Sequence, residues 1–356
     1  MNRGQIVQGV LVVLCCVMSG SLECGGVQLN ATERRGSNTY ERMCAVCHGL
    51  EGEGYKADQA TALANPAFLA SVSEPFLRRA IVNGRGGTTM SAWGRERGGP
   101  LTRPDADAVI AFLQTWATRP RATLDERPPT GDASRGAAVF ARECMRCHGE
   151  RGTGGLNVNI GNADFLSTAG NGFLREAIRG GRLGTAMRGF SSTLGDSGVE
   201  DLLALLRSWQ ASAAAAARPA TPARPPPIPL GPVPLNPRGP EPVGFHLSPA
   251  TTPADLVKAQ LDRGAKMALL DARAPSDYGS EHIAGAVSVP FYDPDPYVNA
   301  LPRDAWLVCY CACPHAESGQ LAKKLLDKGF SKVTVLDEGL GVWRSKKYGT
   351  HTGWDP

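Results

Sequence analysis

Cys-x-x-Cys-His occurs twice in this chain, as Cys44-Ala45-Val46-Cys47-His48 and as Cys144-Met145-Arg146-Cys147-His148. Two cysteines three apart can form thioether links to the two vinyl groups of one haem, and the adjacent histidine then lies under the iron as axial ligand. One match among the ten cysteines of a 356-residue chain could be chance, but two in matching contexts are not. The motifs point to two covalently bound haem c groups. No other feature constrains the fold as strongly.

The context of each motif is repeated as well. Gly36, Tyr40 and Cys44 in one copy correspond to Gly136, Phe140 and Cys144 in the other. A glycine one turn before an aromatic lets a second helix pass close, with the ring filling the crossing. A Gly-rich loop follows each motif, Glu51 to Gly54 and Arg151 to Gly155. Then comes a shared segment: Phe76-Leu77-Arg78-Arg79-Ala80-Ile81 through Gly84-Arg85-Gly86-Gly87-Thr88-Thr89-Met90 matches Phe173-Leu174-Arg175-Glu176-Ala177-Ile178 through Gly181-Arg182-Leu183-Gly184-Thr185-Ala186-Met187. Apolar residues at helical spacing close each copy, from Val109 to Trp116 and from Leu202 to Trp209. The front of the chain is a tandem duplication.

The sixth ligand follows by elimination. Of six histidines only His48 and His148 fall inside the repeats, so bis-histidine ligation from within a repeat is excluded. Of seven methionines, Met43 and Met145 adjoin the attachment cysteines and cannot reach the opposite haem face. Met90 and Met187 remain, at matching places in the repeat; ordinary core methionines are the alternative reading. His/Met ligation raises the iron's reduction potential, because a thioether favours the ferrous state.

On these motifs, residues 33–117 and 133–210 each resemble a class I c-type cytochrome domain, and together they are similar to the paired domains of dihaem subunits in haem-copper oxidases and membrane dehydrogenases. The resemblance implies a small all-α fold wrapped round each haem, with an exposed haem edge for electron exchange. Arg85 and Arg182, equivalent in the two methionine loops, either pair with haem propionates or are ordinary surface arginines. Trp93 is placed to pack on its haem, where the second copy has Phe190.

Haem is attached to such motifs outside the cytoplasm, and residues 1–24 read as an export signal. Arg3 supplies the positive start, Ile6 to Met18 an apolar core, and Ser19-Gly20-Ser21 a cleavage site. The apolar run is shorter than the roughly 20 residues of a membrane span. A retained anchor is one alternative; lipidation at Cys24 is another, set against the acidic Glu23. The expected location is periplasmic. A net charge of +4, without a basic run interleaved with aromatics, argues against nucleic acid.

Residues 211–244 begin alanine-rich and hold eleven prolines in 34 residues. Proline lacks an amide donor and fixes φ, so an extended polyproline II spacer is expected, reaching up to about 100 Å at roughly 3.1 Å per residue. Such a spacer would free the two halves from forming one fixed site. Thr118 to Asp132, with Pro120, Pro128 and Pro129, reads as a stiff link between the repeats.

Residues 245–356 change period. Met267 to Leu270, Trp306 to Tyr310 and Lys332 to Leu336 are short buried-strand signals, separated by helical patterns at Pro253 to Arg263 and Glu317 to Lys328. Alternating strands and helices argue an α/β unit with a parallel sheet. Reactive groups in such sheets gather past the carboxyl ends of strands, where Cys311 lies just before a helix. Amides at a helix start stabilise an anion, and a thiolate there can take sulfane sulfur as a covalent persulfide.

This segment resembles the rhodanese-like domains. The matching stretches are Leu269 to Arg273, Asp277-Tyr278 through Glu281-His282-Ile283-Ala284-Gly285-Ala286 to Val289-Pro290, Val308 to Cys311, Leu325 to Phe330, and Val335 to Gly339 with Trp343. The resemblance implies that Cys311 is the persulfide cysteine and that His282, Asp271 and Arg273 tie the fold together. The loop Cys311-Ala312-Cys313-Pro314-His315-Ala316-Glu317-Ser318 departs from the family pattern, lacking its usual glycine and arginine. Cys313 could act as a resolving thiol. A metal held by Cys309, Cys311, Cys313 and His315, or a loop used only for binding, are the other readings.

The expected architecture is thus two all-α cytochrome c domains followed by one α/β rhodanese-like domain. Two functions share electron transfer as their common part. In the first, Cys311 takes sulfur from a sulfane-sulfur donor such as thiosulfate or polysulfide, and electrons leave through the haems. In the second, the chain is an electron carrier to a terminal oxidase or reductase, and the third domain serves docking or redox sensing only. Either needs redox protein partners as donor and acceptor.

Overall fold

The structure is a computed structural model that describes residues 28–55, 57, 59–216, 233–312 and 315–356. The expected leader, residues 217–232 of the proline-rich stretch, and Cys313 lie outside the described residues. Repeat 1 comprises α1 (Ala31–Met43), α2 (Ala45–His48), α3 (Pro66–Ser71), α4 (Glu74–Asn83) and α5 (Arg103–Gln114). Repeat 2 comprises α6 (Ala133–Glu143), α7 (Met145–His148), α8 (Ala163–Thr168), α9 (Asn171–Gly180) and α10 (Ser191–Ala216). Side chains set where these helices begin: Asn30 with Glu33 and Thr102 with Asp105 form reciprocal caps, and Asn65, Asp132 and Asn162 cap α3, α6 and α8.

In each repeat the first helix crosses the last. A methyl group on Gly36 would come within 2.0 Å of the Ala108 carbonyl oxygen in α5, and one on Gly136 within 2.1 Å of the Asp201 carbonyl oxygen in α10. Only a residue without Cβ permits that approach. The aromatic one turn on fills the crossing, as the shared spacing predicts: Tyr40 packs on Phe112 and Trp116, and Phe140 stands edge-on to Trp209.

The repeats meet through reciprocal contacts of a pseudo-twofold kind. Asn65 Nδ2 donates to the Leu183 carbonyl at 2.8 Å and Asn162 Nδ2 to the Gly86 carbonyl at 2.7 Å, so each capping asparagine grips the methionine loop of the other repeat. Phe68, Phe76, Phe165 and Phe173 fill the space between, with ring centroids 5.3–6.4 Å apart. The link from Thr118 to Asp132 has no regular structure but is pinned by the buried Arg175, which donates to the Pro128 carbonyl at 3.2 Å and pairs with Glu200 at 2.6 Å.

The third domain comprises β1 (Thr251–Thr252), α11 (Ala254–Asp262), β2 (Met267–Asp271), α12 (Pro275–Ser280), β3 (His282–Ile283), β4 (Ala286–Ser288), β5 (Trp306–Tyr310), α13 (Ala316–Asp327), β6 (Val333–Leu336), α14 (Gly339–Ser345) and β7 (Thr350–His351). Five strands form a parallel sheet in the order β1-β6-β5-β2-β4, with Leu269 opposite Val308; β3 and β7 pair antiparallel. The central strands are buried on both faces and therefore read as continuous apolar runs. The strands absent from the sequence reading hold two or three residues each, too few for a periodic signal.

Two expectations about the spacer change. Residues 236–244 pack on the third domain: Asn236 Nδ2 donates to the Gly264 carbonyl at 2.7 Å, and the Lys266 amide donates to the Pro240 carbonyl at 2.8 Å. The third domain also rests on repeat 1. Ser276 Oγ donates to the Ala92 carbonyl at 2.7 Å, Ser91 Oγ donates to the Asp277 carboxylate, and the Trp93 and Tyr292 rings lie 5.6 Å apart. A proline-rich tether sets how far two surfaces can part; their own complementarity decides whether they meet.

The crossings carry a testable consequence. Gly36→Ala and Gly136→Ala should each destabilise the holoprotein by about 1–3 kcal/mol, the usual cost of overpacking. Gly341→Ala, which meets nothing within 4 Å, should not destabilise it. Thermal unfolding followed by far-UV circular dichroism checks this; unchanged melting of both crossing variants would contradict the close approach.

Candidate functional site

The loop that follows α4 or α9 is built the same way in both repeats. Gly84 and Gly181 turn the chain at φ 66° and 68°. The Arg85 amide then donates to the Met90 carbonyl at 2.9 Å, and the Arg182 amide to the Met187 carbonyl at 2.7 Å. Inside each loop a threonine hydroxyl, Thr88 or Thr185, accepts from the methionine amide at 3.2 or 3.1 Å. The Gly-Arg-x-Gly-Thr-x-Met pattern is thus a closed turn that presents one methionine.

Cys44, Cys47, His48 and Met90 line one continuous cavity of about 940 Å³ together with Cys144, Cys147, His148 and Met187. His48 Nδ1 lies 2.8 Å from the Thr61 carbonyl and His148 Nδ1 lies 2.9 Å from the Val158 carbonyl. A carbonyl only accepts, so Nδ1 carries the proton and Nε2 keeps its lone pair. Burial lowers the pKa of both imidazoles and so favours the neutral ring. Burial also pushes the Cys44 thiol up to about 12 and the Cys144 thiol up to about 11.

Arg85 and Arg182 reach into the same cavity. Their guanidinium groups sit 4.6 Å from the Phe76 ring and 5.1 Å from the Phe173 ring. Burial pushes both down to about 10. Arg85 Nη1 donates to Thr168 at 3.1 Å, yet Nη2 of Arg85 and of Arg182 is buried without a hydrogen-bond partner. A buried cationic N–H that lacks an acceptor is costly. The reading of these two as plain surface residues therefore does not fit, and the cavity suits a ligand bearing carboxylates.

In the third domain Cys311 follows β5 at the carboxyl edge of the sheet, 1% exposed, with Sγ 3.3 Å from Ser318 Oγ in the first turn of α13. Cys309 is buried on its strand. Asp271 accepts from Arg273 at 2.6 Å and from the Tyr310 hydroxyl at 2.8 Å, and His282 lies between the Tyr278 and Asp355 carbonyls at 2.9 Å each. These three hold loops to the sheet, as the resemblance implied. His315 opens α13 at φ 66°, with Nε2 2.7 Å from the Asp337 carbonyl. Among the described residues no group of three or more His, Cys, Asp or Glu is arranged to hold a metal ion; Cys313, one of the four expected donors, lies outside them.

Glu317 was legible only as a member of the loop. It is 7% exposed and lines the same cavity as the cysteines of the repeats, because α13 packs against α2. Burial, with the sulfur of Cys311 beside it, pushes its carboxyl well above the usual carboxylate range. Trp93 lines the cavity too, with its ring beside Tyr292. No sequence signal announces such a contact, since Trp93 and Tyr292 stand 199 positions apart.

Comparison with known proteins agrees with this division. The family model for cytochrome c oxidase, cbb3-type, subunit III matches residues 31–113 and again 131–206, and that for the rhodanese-like domain matches residues 253–346. A cbb3-type cytochrome c oxidase subunit CcoP from Azospirillum sp. (strain B510) is 26% identical over 185 residues, 47% of this chain and 58% of that subunit. The chain thus spans little more than half the length of this relative. A thiosulfate sulfurtransferase GlpE from Pseudomonas fluorescens is 34% identical over 94 residues, 26% of this chain and 83% of the relative. Among solved structures, the Alr3790 protein from Anabaena sp. is 28% identical and covers 28% of this chain and 80% of its own, with a TM-score of 0.27. Among the described residues no helix is long and apolar enough to cross a membrane. The chain thus carries two cytochrome c domains that match the cbb3-type model, which imply covalently bound haem c, and through its third domain it belongs to the rhodanese-like family.

Proposed function

We propose that this protein is a periplasmic two-haem electron-transfer protein whose rhodanese-like domain supplies sulfur-derived electrons to repeat 1. Cys44 and Cys47 would hold one haem c with His48 and Met90 as axial ligands; Cys144 and Cys147 would hold the second with His148 and Met187. The lone pair on each histidine Nε2, the adjoining thiol pairs, and the unpartnered Nη2 atoms of Arg85 and Arg182 all support that fit. When bound, the two haem groups supply two one-electron acceptors, favoured in the reduced state by thioether ligation.

The chain's own sulfur chemistry begins at Cys311. Its thiolate, joined oxidatively to a sulfur anion R–S⁻, forms one S–S bond and releases two electrons: Cys311–S⁻ + R–S⁻ → Cys311–S–S–R + 2 e⁻. Thiosulfate and polysulfide both supply such an anion. The released pair matches two one-electron acceptors, so no oxygen atom or further co-reactant is required. The Ser318 hydroxyl, 3.3 Å from Sγ, can donate to the thiolate. The observation that carries this reading is the shared boundary between the Cys311 loop and the first haem motif, across Glu317. A second reading is favoured by the 1% exposure of Cys311, which gives a donor no approach while the domain is docked. There the chain carries electrons between redox proteins, an oxidase or reductase among them, and the third domain serves docking or redox sensing.

Anaerobic addition of thiosulfate or polysulfide to the oxidised holoprotein should produce the absorption of reduced haem in the wild type and not in Cys311→Ser, while ascorbate reduces both. Equal reduction of the two proteins by the sulfur donor, or of neither, would remove the sulfur reading and leave the electron carrier. Met90→Ala and Met187→Ala should each lower one of two midpoint potentials by on the order of 0.1 V, within the roughly 0.8 V range that axial ligands command. Spectroelectrochemical titration reads this; two unshifted potentials would rule out the methionines as ligands.

A further inference from the structure

The face of repeat 1 that receives the third domain has a counterpart on repeat 2 that nothing among the described residues covers, and the two faces differ in chemistry. Alignment of the repeats places Ala45, Val46, Ser91 and Ala92 opposite Met145, Arg146, Arg188 and Gly189. Ala45 and Ser91 are buried, 8% and 3% exposed, beneath or beside the rhodanese-like domain. At the equivalent places Met145 is 42% exposed, and Arg146, Arg188 and Gly189 are open to solvent. Arg142, on the last turn of α6, is exposed beside them. The only carboxylate in residues 142–148 and 187–190 is Glu143, and it is already engaged by Arg142 at 2.8 Å and Arg188 at 3.1 Å.

We propose that this open face of repeat 2 is the docking surface for an external acidic redox protein, one that presents carboxylates around an apolar centre. The chain itself shows what such a face does, since on repeat 1 the same surface seats another domain against the rim of the cavity. The third domain is engaged there and is not the occupant of repeat 2. Met145 supplies the apolar centre, and three arginines against one neutralised glutamate leave the rim cationic. A cationic rim raises the encounter rate with an acidic partner and lowers it with a basic one. The inference rests on the reading that repeat 2 holds a redox group, and it is independent of the role of Cys311.

The test uses the holoprotein reduced with ascorbate, which bypasses Cys311, so a failed sulfur reading leaves the result untouched. Stopped-flow mixing with an oxidised acidic blue-copper protein, and separately with a basic mitochondrial-type cytochrome c, gives two second-order rate constants at each salt concentration. The acidic partner should react faster as salt is lowered, and the doubly substituted Arg142→Glu/Arg146→Glu holoprotein should lose roughly tenfold of that rate, in the range that steering commands. The basic partner should show the reverse trend, and Arg42→Glu, at the matching place on repeat 1, should leave both rates unchanged. Haem content by mass and absorption confirms that the variants are loaded. Salt-independent rates, equal effects on both partners, a larger effect from Arg42→Glu, or self-association of the holoprotein that Arg146→Glu abolishes would each overturn the proposal.

Discussion

At Gly36 the backbone of α1 lies so close to α5 that a methyl group would stand 2.0 Å from a carbonyl oxygen, and at Gly136 the same happens between α6 and α10. That approach fixes where the first helix of each repeat ends, and the Cys-x-x-Cys-His turn begins at that end. In repeat 1 the Tyr40 hydroxyl, seated in the crossing, donates to the Gly49 carbonyl at 2.7 Å and pins the residue that follows His48. The imidazole is then held by a backbone carbonyl on one nitrogen and faces the cavity with the other. Loosening the crossing would release the attachment turn, the histidine and the cavity wall together.

A second layer of constraint joins the repeats. Each capping asparagine spends its oxygen on its own helix and its amide nitrogen on the methionine loop across the interface. The cavity is consequently continuous through both repeats, and Arg85 and Arg182 are set among phenylalanines from both. The duplicated halves are not used alike, however. Small residues of repeat 1 accept the rhodanese-like domain, whereas arginines stand at the corresponding places in repeat 2.

Much of the haem-bearing half was legible in the sequence because its signals are local. The motif spacing, the glycine-to-aromatic step and the threonine before each methionine all act within a few residues of one another. The central strands were legible for the same reason, as unbroken apolar runs. What could not be read joins distant segments: Glu317 in the cavity wall, Ser276 on the Ala92 carbonyl, and the stacking of Arg85 on rings from both repeats. The proline-rich stretch misled in one respect. Its composition fixes local backbone preference but carries no information about the surfaces at either end, and residues 236–244 belong with the third domain.

The Cys311 face of the rhodanese-like domain lies against the cavity of repeat 1, with Glu317 in its wall. Backbone amide NMR of the isotope-labelled holoprotein, recorded oxidised and then reduced, tests it without relying on turnover, because a paramagnetic centre shifts and broadens only nearby signals. Oxidation-dependent shifts are expected at residues 276–278 and 315–321, and none along Ala254–Asp262. An unchanged spectrum throughout residues 245–356 would contradict it.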